Sequence, residues 1–293
     1  QEMWATLILW AAAAVTAAAT YVESEARVFY ELSSASYCNG KGLAGWDCKP
    51  CLASKLSANN VSVYANEDDN MHAFTALLPA DALGSVEDDT PIIAVAFKGT
   101  QMSSLKNWIE NLKIVRSDRQ MTCDGCAVHS GFVELWDSIA TPLVANVKAL
   151  LAAHPNARVV LTGHSMGGAV AMVAAYVLQR DLHLPISGPV YTFGSPRVGN
   201  SEFAKQFDRP SAVTPPPPEV WRLTHYRDPV PHLPMEIMGF VHIGHEVYYD
   251  EDWQEHTVCA GYREDSKCAD SKWLWDSVGD HLKYFAEEVG VCN

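Results

Sequence analysis

The chain has 293 residues, of which 48% are hydrophobic and 19% charged, a composition typical of a globular protein with a large core. The formal net charge is −14 with an isoelectric point near 5.1, which argues against nucleic-acid binding and against electrostatic adhesion to anionic membranes. The eight cysteines are an even number and favour local disulfides in an oxidising compartment.

The first 20 residues are apolar and rich in alanine. This stretch is too short for a comfortable transmembrane helix, and it lacks the positive residues that open a signal peptide. We expect a processed secreted protein in which residues 1–20 form an extra N-terminal helix, with a retained signal remnant as the alternative. Residues 21–293 are predicted to form a single domain. The sequon at Asn60 predicts a glycosylation site, in keeping with secretion.

The first half of the chain alternates between strand and helix patterns. Apolar spacing predicts a helix over 21–37, and strands follow at 61–64 and 73–78. Residues 92–97 are a continuous apolar run, as expected for a strand buried on both faces. A short amphipathic helix comes next, and its apolar stripe consists of Leu105, Trp108, Ile109 and Leu112.

The second half continues the alternation. A helix over 129–151 precedes a strand at 159–161 and a helix at 169–180, and further strands are predicted at 190–193 and 220–225. Residues 239–242 and 246–249 are expected to form an antiparallel pair at a sheet edge, and a helix over 280–288 is expected to end the chain. This order predicts an α/β fold with a largely parallel sheet.

Gly163-His-Ser165-Met-Gly167 stands between the predicted strand at 159–161 and the helix that follows it. This is the nucleophile-elbow pattern, in which a serine on a sharp turn exposes its hydroxyl between a strand and a helix. Ser165 is therefore the candidate nucleophile. It needs a base, and the base needs an orienting carboxylate further along the chain.

Asp228 is the candidate carboxylate because it directly follows the strand at 220–225, whereas Asp208 and the acids at 250–252 lie in polar, loop-like stretches. The order of the motif leaves five histidines as candidate bases. His281 is favoured because it opens a late element that can reach back over the sheet. The five candidates are His232, His242, His245, His256 and His281.

Two alternatives for these histidines are weaker. His242 and His245 are interpreted as structural residues. A zinc site from His242, His245 and His256 lacks a supporting motif such as HExxH. We predict no metal.

The backbone N–H of Met166 is one candidate donor to the oxyanion of a tetrahedral intermediate, because it follows the serine at the elbow. The second donor should come from a loop after an earlier strand. Thr100 lies just after the strand at 92–97 and is the candidate.

Six motifs together resemble the fungal class 3 lipases, the secreted triacylglycerol lipases of filamentous fungi and yeasts. The resemblance runs from about residue 21 to the C-terminus. The motifs are the elbow, Phe97-Lys-Gly-Thr100 with the helix after it, Val128-His-Ser-Gly-Phe132, Phe193-Gly-Ser-Pro-Arg-Val-Gly-Asn200, the stretch 224–234 around Asp228, and Asp280-His-Leu-Lys-Tyr-Phe285.

This resemblance implies an α/β-hydrolase fold, a triad of Ser165, Asp228 and His281, and an oxyanion hole at Thr100 and Met166. It also implies that residues 103–112 form a lid over the site. The implied disulfides are Cys38–Cys292, Cys48–Cys51, Cys123–Cys126 and Cys259–Cys268. Lys98 departs from the arginine that is usual in the family, so the anchoring of the lid is expected to differ.

The expected activity is triacylglycerol hydrolysis at a lipid–water interface, without a cofactor, by a secreted enzyme that contacts lipid surfaces only peripherally. The sequence does not determine the oligomeric state, and we expect a monomer. Mono- and diacylglycerol lipases and feruloyl-type esterases are the alternatives among esterases. A secreted binding protein without catalysis is the alternative from another class.

Overall fold

The structure is a computed structural model that describes residues 20–38, 40–84, 89–112, 118–208, 215–261 and 263–292. Residues 1–19 of the predicted N-terminal segment 1–20 therefore lie outside the described residues. Within them an eight-stranded sheet is packed between helices, which confirms the predicted α/β class.

Eight α-helices occur in the part of the chain that the structure describes. Two glutamates in the first turn of α1 favour its start there, because acidic groups complement the positive end of a helix. None of the described helices is both long enough and apolar enough to cross a membrane. The helices are α1 (Glu23–Ala35), α2 (Gly40–Ala44), α3 (Lys49–Ala53), α4 (Leu105–Leu112), α5 (Ser130–Ala153), α6 (Met166–Tyr176), α7 (Ser201–Lys205) and α8 (Val278–His281).

The strands, in chain order, are β1 (Asn59–Asn66), β2 (Met71–Leu78), β3 (Ile92–Phe97), β4 (Asp118–Gln120), β5 (Ala127–His129), β6 (Arg158–His164), β7 (Val190–Phe193), β8 (Val220–His225), β9 (His245–Tyr249), β10 (His256–Val258), β11 (Lys283–Tyr284) and β12 (Glu287–Glu288). The main sheet has the order β1-β2-β3-β6-β7-β8-β9-β10. Its five strands from β3 to β9 run parallel, and the outer pairings are antiparallel.

Strand β3 is buried on both faces, as its continuous apolar sequence predicts. Ile93 and Val95 join the core that includes α4, α5 and α6, whereas Ile92 and Ala94 join the core that includes α1. Successive side chains of a strand point to opposite faces, so one apolar run supplies both cores. The sheet is therefore a rigid centre from which the loops project.

The register of β3 against β6 brings two important loops together. Phe97 at the end of β3 lies opposite Gly163 near the end of β6. Because the two strands are parallel, the chain leaves both at the same edge of the sheet. Thr100 and Ser165 therefore start from neighbouring positions.

The predicted helix over 280–288 is wrong beyond its first turn. Helix α8 ends at His281, and β11 then turns back antiparallel to β12. Phe285 and Ala286 form the turn with φ of 54° and 63°, a conformation that ends any helix. The hairpin buries Tyr284 and Phe285 in the core beside α1, and this packing outweighs their helical spacing.

The predicted antiparallel pair of 239–242 with 246–249 is also wrong. Strand β9 extends the sheet parallel to β8, and its antiparallel partner is β10. Val241 makes only an isolated bridge to Gly199. Gly244, with φ of 79°, turns the chain before β9 and lies against Val220, so β9 runs alongside β8.

All eight cysteines are paired, with no free thiol. One bridge joins Cys38, just after α1, to Cys292 near the C-terminus. The others are local: Cys48–Cys51, Cys123–Cys126 and Cys259–Cys268. These are the four pairs that the family resemblance implied.

Candidate active site

Ser165 occupies a strained turn between β6 and α6. Its φ is 59° and its ψ is −130°, a region that a residue with a Cβ rarely adopts. The backbone N–H of Ser165 donates to the carbonyl of Phe193 at 2.8 Å, which holds the turn against β7. Such strain persists only where the surroundings impose it, and it is common at catalytic residues.

The two glycines of the elbow are required by close packing. A Cβ at Gly163 would lie 2.3 Å from the carbonyl carbon and oxygen of Gly167, and one at Gly167 would lie 2.2 Å from the carbonyl oxygen of Phe97. Backbone atoms cannot move aside as a flexible side chain can. Glycine at both positions thus lets α6 start directly beneath the serine and beside β3.

His281 and Asp228 are in contact, as the sequence predicted. His281 Nδ1 lies 2.8 Å from Asp228 Oδ2 and 3.0 Å from Oδ1, and both side chains are buried. A carboxylate can only accept, so Nδ1 carries a proton, and in the neutral form of the ring Nε2 is the acceptor. Among the described residues, His281 Nε2 and Ser165 Oγ both lack a hydrogen-bond partner although both are buried.

Two further donors hold Asp228 in place. The hydroxyl of Tyr284 donates to Asp228 Oδ2 at 3.1 Å, and the backbone N–H of Val230 donates to Oδ1 at 2.8 Å. Burial and the neighbouring Asp228 carboxylate raise the pKa of Tyr284 well above its usual value, so its hydroxyl stays protonated. The carboxylate is therefore positioned from three sides.

A second histidine connects the elbow to the backbone of His281. His164 Nε2 donates to the carbonyl oxygen of His281 at 2.8 Å, and the hydroxyl of Tyr37 donates to His164 Nδ1 at 2.8 Å. Burial, with a smaller effect of His281, lowers the pKa of His164 well below its usual value. A neutral ring has one donor and one acceptor nitrogen, and its two partners require this tautomer.

Sequence reasoning did not identify the supporting residues Tyr37, His164 and Tyr284. Two of them do lie within motifs already noted. His164 directly precedes Ser165 in the elbow, and Tyr284 lies three residues after His281. Tyr37 reaches His164 across 127 positions of sequence, so no local pattern points to it.

Thr100 and Met166 are in contact next to the elbow turn. Thr100 is buried, and its hydroxyl lies 3.4 Å from the sulfur of Met166. Met166 is the first residue of α6, where backbone N–H groups lack partners within the helix. Both residues line a groove of about 220 Å³, together with Asp69, Asn70, Ser104, Asn107, Trp108 and Asn111.

Helix α4 borders the groove of Thr100 and Met166, and its predicted apolar stripe faces inward. Leu105, Ile109 and Leu112 are buried in the main core, and Trp108 is half-buried against it. The polar face points outward, since Lys106 and Asn107 are exposed. A turn of 3₁₀ helix over Met102–Ser104 joins α4 to the loop of Thr100, and Lys113 lies outside the described residues.

Lys98, the departure from the family pattern, has its hydrogen-bond partner outside α4 among the described residues. Its Nζ donates to Asn70 Oδ1 at 3.1 Å, on the turn between β1 and β2. Burial lowers the pKa of this amine, and Glu67 opposes the shift more weakly. Lys98 thus ties the base of the loop after β3 to the neighbouring turn.

The other histidines proposed from order alone contact residues outside the triad. His232 lies 3.0 Å from Asp270, and His242 Nε2 lies 2.7 Å from the carbonyl of Pro231. His245 contacts Glu219, and His256 contacts Glu23. Of the other acids, Asp208 pairs with Arg263 and Asp250 accepts from the backbone of Gln254.

Potential metal ligands in the described residues are engaged in other ways. Glu246 lies near Cys259 and Cys268, but those cysteines form a disulfide. Glu236 and Glu264 approach Asp270, and Arg197 bonds to both glutamates. The three histidines considered for zinc have separate partners, as described above. Neither acidic group belongs to the Ser165 site.

Comparison with known proteins identifies the family. The sequence model of the class 3 lipase family matches residues 94–238 of this chain. A lipase of Rhizomucor miehei is 33% identical over 284 residues, covering 95% of this chain and 73% of that protein. The chain belongs to the class 3 lipase family. It is a carboxylic ester hydrolase with the α/β-hydrolase fold.

Solved structures resemble the lipase closely. The Rhizomucor miehei lipase–propeptide complex has a TM-score of 0.75 at 32% identity, covering 92% of this chain and 82% of that one. A triacylglycerol lipase whose catalytic centre is described as a serine-protease triad has a TM-score of 0.74, covering 92% of this chain and 97% of that one. A secreted mono- and diacylglycerol lipase of Fusarium solani is 42% identical over 161 residues, covering 54% of this lipase and 44% of that protein.

Proposed function

We propose that the protein is a secreted lipase that hydrolyses acylglycerols through an acyl-enzyme on Ser165. One observation carries the proposal. Ser165 Oγ and His281 Nε2 are both buried and unbonded among the described residues, while the other nitrogen of His281 is held by Asp228. A serine hydroxyl is activated when an imidazole that a carboxylate orients can accept its proton, and we infer that these two unbonded atoms form that pair in the reaction.

In the proposed mechanism, His281 Nε2 takes the proton of Ser165 as its oxygen attacks the ester carbonyl. Asp228 stabilises the imidazolium that forms. The carbonyl oxygen, now negative, accepts hydrogen bonds from the backbone N–H groups of Thr100 and Met166, and the Thr100 hydroxyl is a further donor. The tetrahedral intermediate collapses as the alcohol leaves with the proton from His281.

Water then completes the reaction. His281 removes a proton from the water as it attacks the acyl-enzyme, and the second tetrahedral intermediate releases a fatty acid and restores Ser165. The two half-reactions use the same donors and the same base, so the chemistry needs no metal or cofactor.

The apolar stripe of α4 supports a lipid substrate and a lid function. Ser165 and His281 are fully buried, and Leu105, Ile109 and Leu112 of α4 are buried in the main core. In the proposed opening, the helix moves aside at an oil surface and exposes this stripe to lipid, a surface that would be costly in water. A feruloyl ester of plant cell walls offers no such apolar surface.

Mono- and diacylglycerols are the second candidate substrates. The support is the local similarity of the chain to the Fusarium mono- and diacylglycerol lipase. Secretion and glycosylation of the exposed Asn60 are part of the proposal, and the four disulfides support an oxidising compartment.

The test compares tri-, di- and monoacylglycerols of several chain lengths, each below and above its solubility limit. We expect the rate to rise sharply once an oil surface forms. Ser165→Ala should lower kcat about 10⁶-fold, because losing one triad member removes nearly the whole effect. Unchanged ester turnover in that variant would refute the serine mechanism, whereas a parent without any ester turnover would support the binding-protein alternative.

A further inference from the structure

Five of the nine large hydrophobic side chains that are exposed in the described residues fall in two short segments. We call this surface the tryptophan ridge, and it consists of Met235, Ile237, Trp273, Leu274 and Trp275. Trp273 is 91% exposed and Ile237 is 87% exposed. Large apolar groups clustered on a surface usually mark an interaction site.

Contacts between the two segments bring the ridge together. The ring of Trp275 stacks on His232 with centroids 3.8 Å apart, and its indole N–H donates to the carbonyl of Ala269. Carboxylate oxygens of Glu236 and Asp270 lie within 4.8 Å of one another. The two segments that carry the five residues are therefore neighbours on the surface.

The same segments lead to the triad. Residues 235–237 follow Asp228, and residues 273–275 precede His281. The backbone N–H of Ser277 donates to the carbonyl of Arg227, so the second segment is tied to the residue before Asp228. The ridge thus lies on the edge of the sheet from which the site opens, and the lid helix does not contribute to it.

The charges around the ridge indicate which kind of surface it meets. Glu236 pairs with Arg197, Asp276 with Arg227, and Asp270 with His232. The Lys272 amine lies over the rings of Tyr226 and Tyr248. The rim of this apolar surface therefore carries three carboxylates, two of them paired with arginines, on a chain with a net charge of −14. It fits a neutral lipid surface, whereas an anionic one would repel it.

We propose that the tryptophan ridge docks the enzyme on the neutral acylglycerol–water interface, independently of the lid. Tryptophan suits this role because its ring is apolar and its N–H is polar, so it favours lipid–water boundaries. Docking here turns the edge that carries Asp228 and His281 toward the lipid before the lid moves. The inference rests on the proposed lipase function and adds a second lipid contact to it.

The test measures binding without catalysis. In a Ser165→Ala background, we compare the parent with the Trp273→Ser/Ile237→Ser double variant for flotation with triolein droplets coated in phosphatidylcholine. Removing the two most exposed apolar groups should weaken binding about tenfold or more. Leu52→Ser, which replaces a 64% exposed residue on α3, is the matched control and should bind like the parent.

Four further measurements separate the outcomes. With Ser165 present, the double variant should hydrolyse a dissolved short-chain ester at the parental rate, and its thermal unfolding should match the parent. Adding phosphatidylglycerol to the droplet coat at low salt should not strengthen binding. Parental solutions should contain monomers at the concentrations used, as measured by light scattering.

Unweakened binding in the double variant, or an equal loss in Leu52→Ser, would overturn the proposal. So would a parallel loss of dissolved-ester activity, tighter binding to anionic droplets, or a parental dimer that the double variant dissociates. A failure of the lipase function has a different signature. In that case the Ser165→Ala parent would still dock through the ridge, but the protein that retains Ser165 would hydrolyse no ester.

Discussion

At the residue scale, Asp228 shows how the site is held in place. It accepts from His281, from the Tyr284 hydroxyl and from the Val230 backbone, and it is buried. A buried carboxylate with these donors is held in one orientation, because its lost hydration is replaced by fixed hydrogen bonds. The imidazole that it orients is then ready to accept the serine proton.

Removing the Tyr284 hydroxyl should therefore slow the reaction. A hydrogen bond to a charged group contributes about 1.5–3 kcal/mol, so Tyr284→Phe should lower kcat on a dissolved ester about tenfold with KM nearly unchanged. Steady-state kinetics at neutral pH measures both constants. The effect on kcat arises because Asp228 loses a donor that keeps it aligned with His281.

Tyr248→Phe is the matched control, because the Tyr248 hydroxyl is buried without a hydrogen-bond partner among the described residues. Its loss should leave kcat unchanged. If Tyr284→Phe lowers the melting temperature and leaves kcat at the parental value, then Tyr284 stabilises the fold and does not position Asp228.

At the element scale, sequence patterns identified the elements whose signal is local. The apolar run 92–97 is β3, and the stripe from Leu105 to Leu112 is the buried side of α4. The C-terminal hairpin was missed because its turn at Phe285 and Ala286 is imposed by packing against α1 rather than by turn residues.

The active site likewise contains residues with a local sequence signal and residues that only packing brings into place. Ser165 and Asp228 stand beside recognisable strands, so their placement followed from the pattern. His281 was favoured among five histidines by its place in a late element, but the choice needed the family resemblance, because chain order does not report distance. Tyr37 was not found at all, since its bond to His164 depends on how α1 packs against the elbow.

Helix α4 makes a specific prediction about lid opening. Ile109 is 4% exposed in the closed site, and burying a side chain of this size contributes about 1.5–3 kcal/mol. Ile109→Ser should thus favour the open lid and raise kcat/KM on dissolved esters about tenfold. The increase in rate at the solubility limit should shrink, because the variant opens without an oil surface.

A titration of the rate against substrate concentration through the solubility limit measures both effects. Lys106→Ser changes an exposed residue on the opposite side of α4 and should show the parental profile. A fall in dissolved-ester activity in Ile109→Ser would contradict the prediction and indicate that the buried stripe supports the catalytic conformation.

At the scale of the whole molecule, the two ends of the described chain pack together behind the triad. Ser34 Oγ of α1 accepts from the backbone of Gly290, and the Tyr30 hydroxyl donates to the carbonyl of Glu287. The Cys38–Cys292 bridge locks this contact. Because Tyr37 and Tyr284 come from these two ends, the bridge also stabilises the support of the catalytic residues.

Removing this bridge should cost more stability than removing a local one. Cys38 and Cys292 are 254 positions apart, whereas Cys48 and Cys51 are 3 apart. Loop-closure entropy predicts a loss in unfolding free energy of about 5 kcal/mol for Cys38→Ser/Cys292→Ser and about 2 kcal/mol for Cys48→Ser/Cys51→Ser. Urea unfolding of the parent and both double variants measures the difference. Equal losses would contradict a cost set by loop length and indicate that local packing around each bridge dominates.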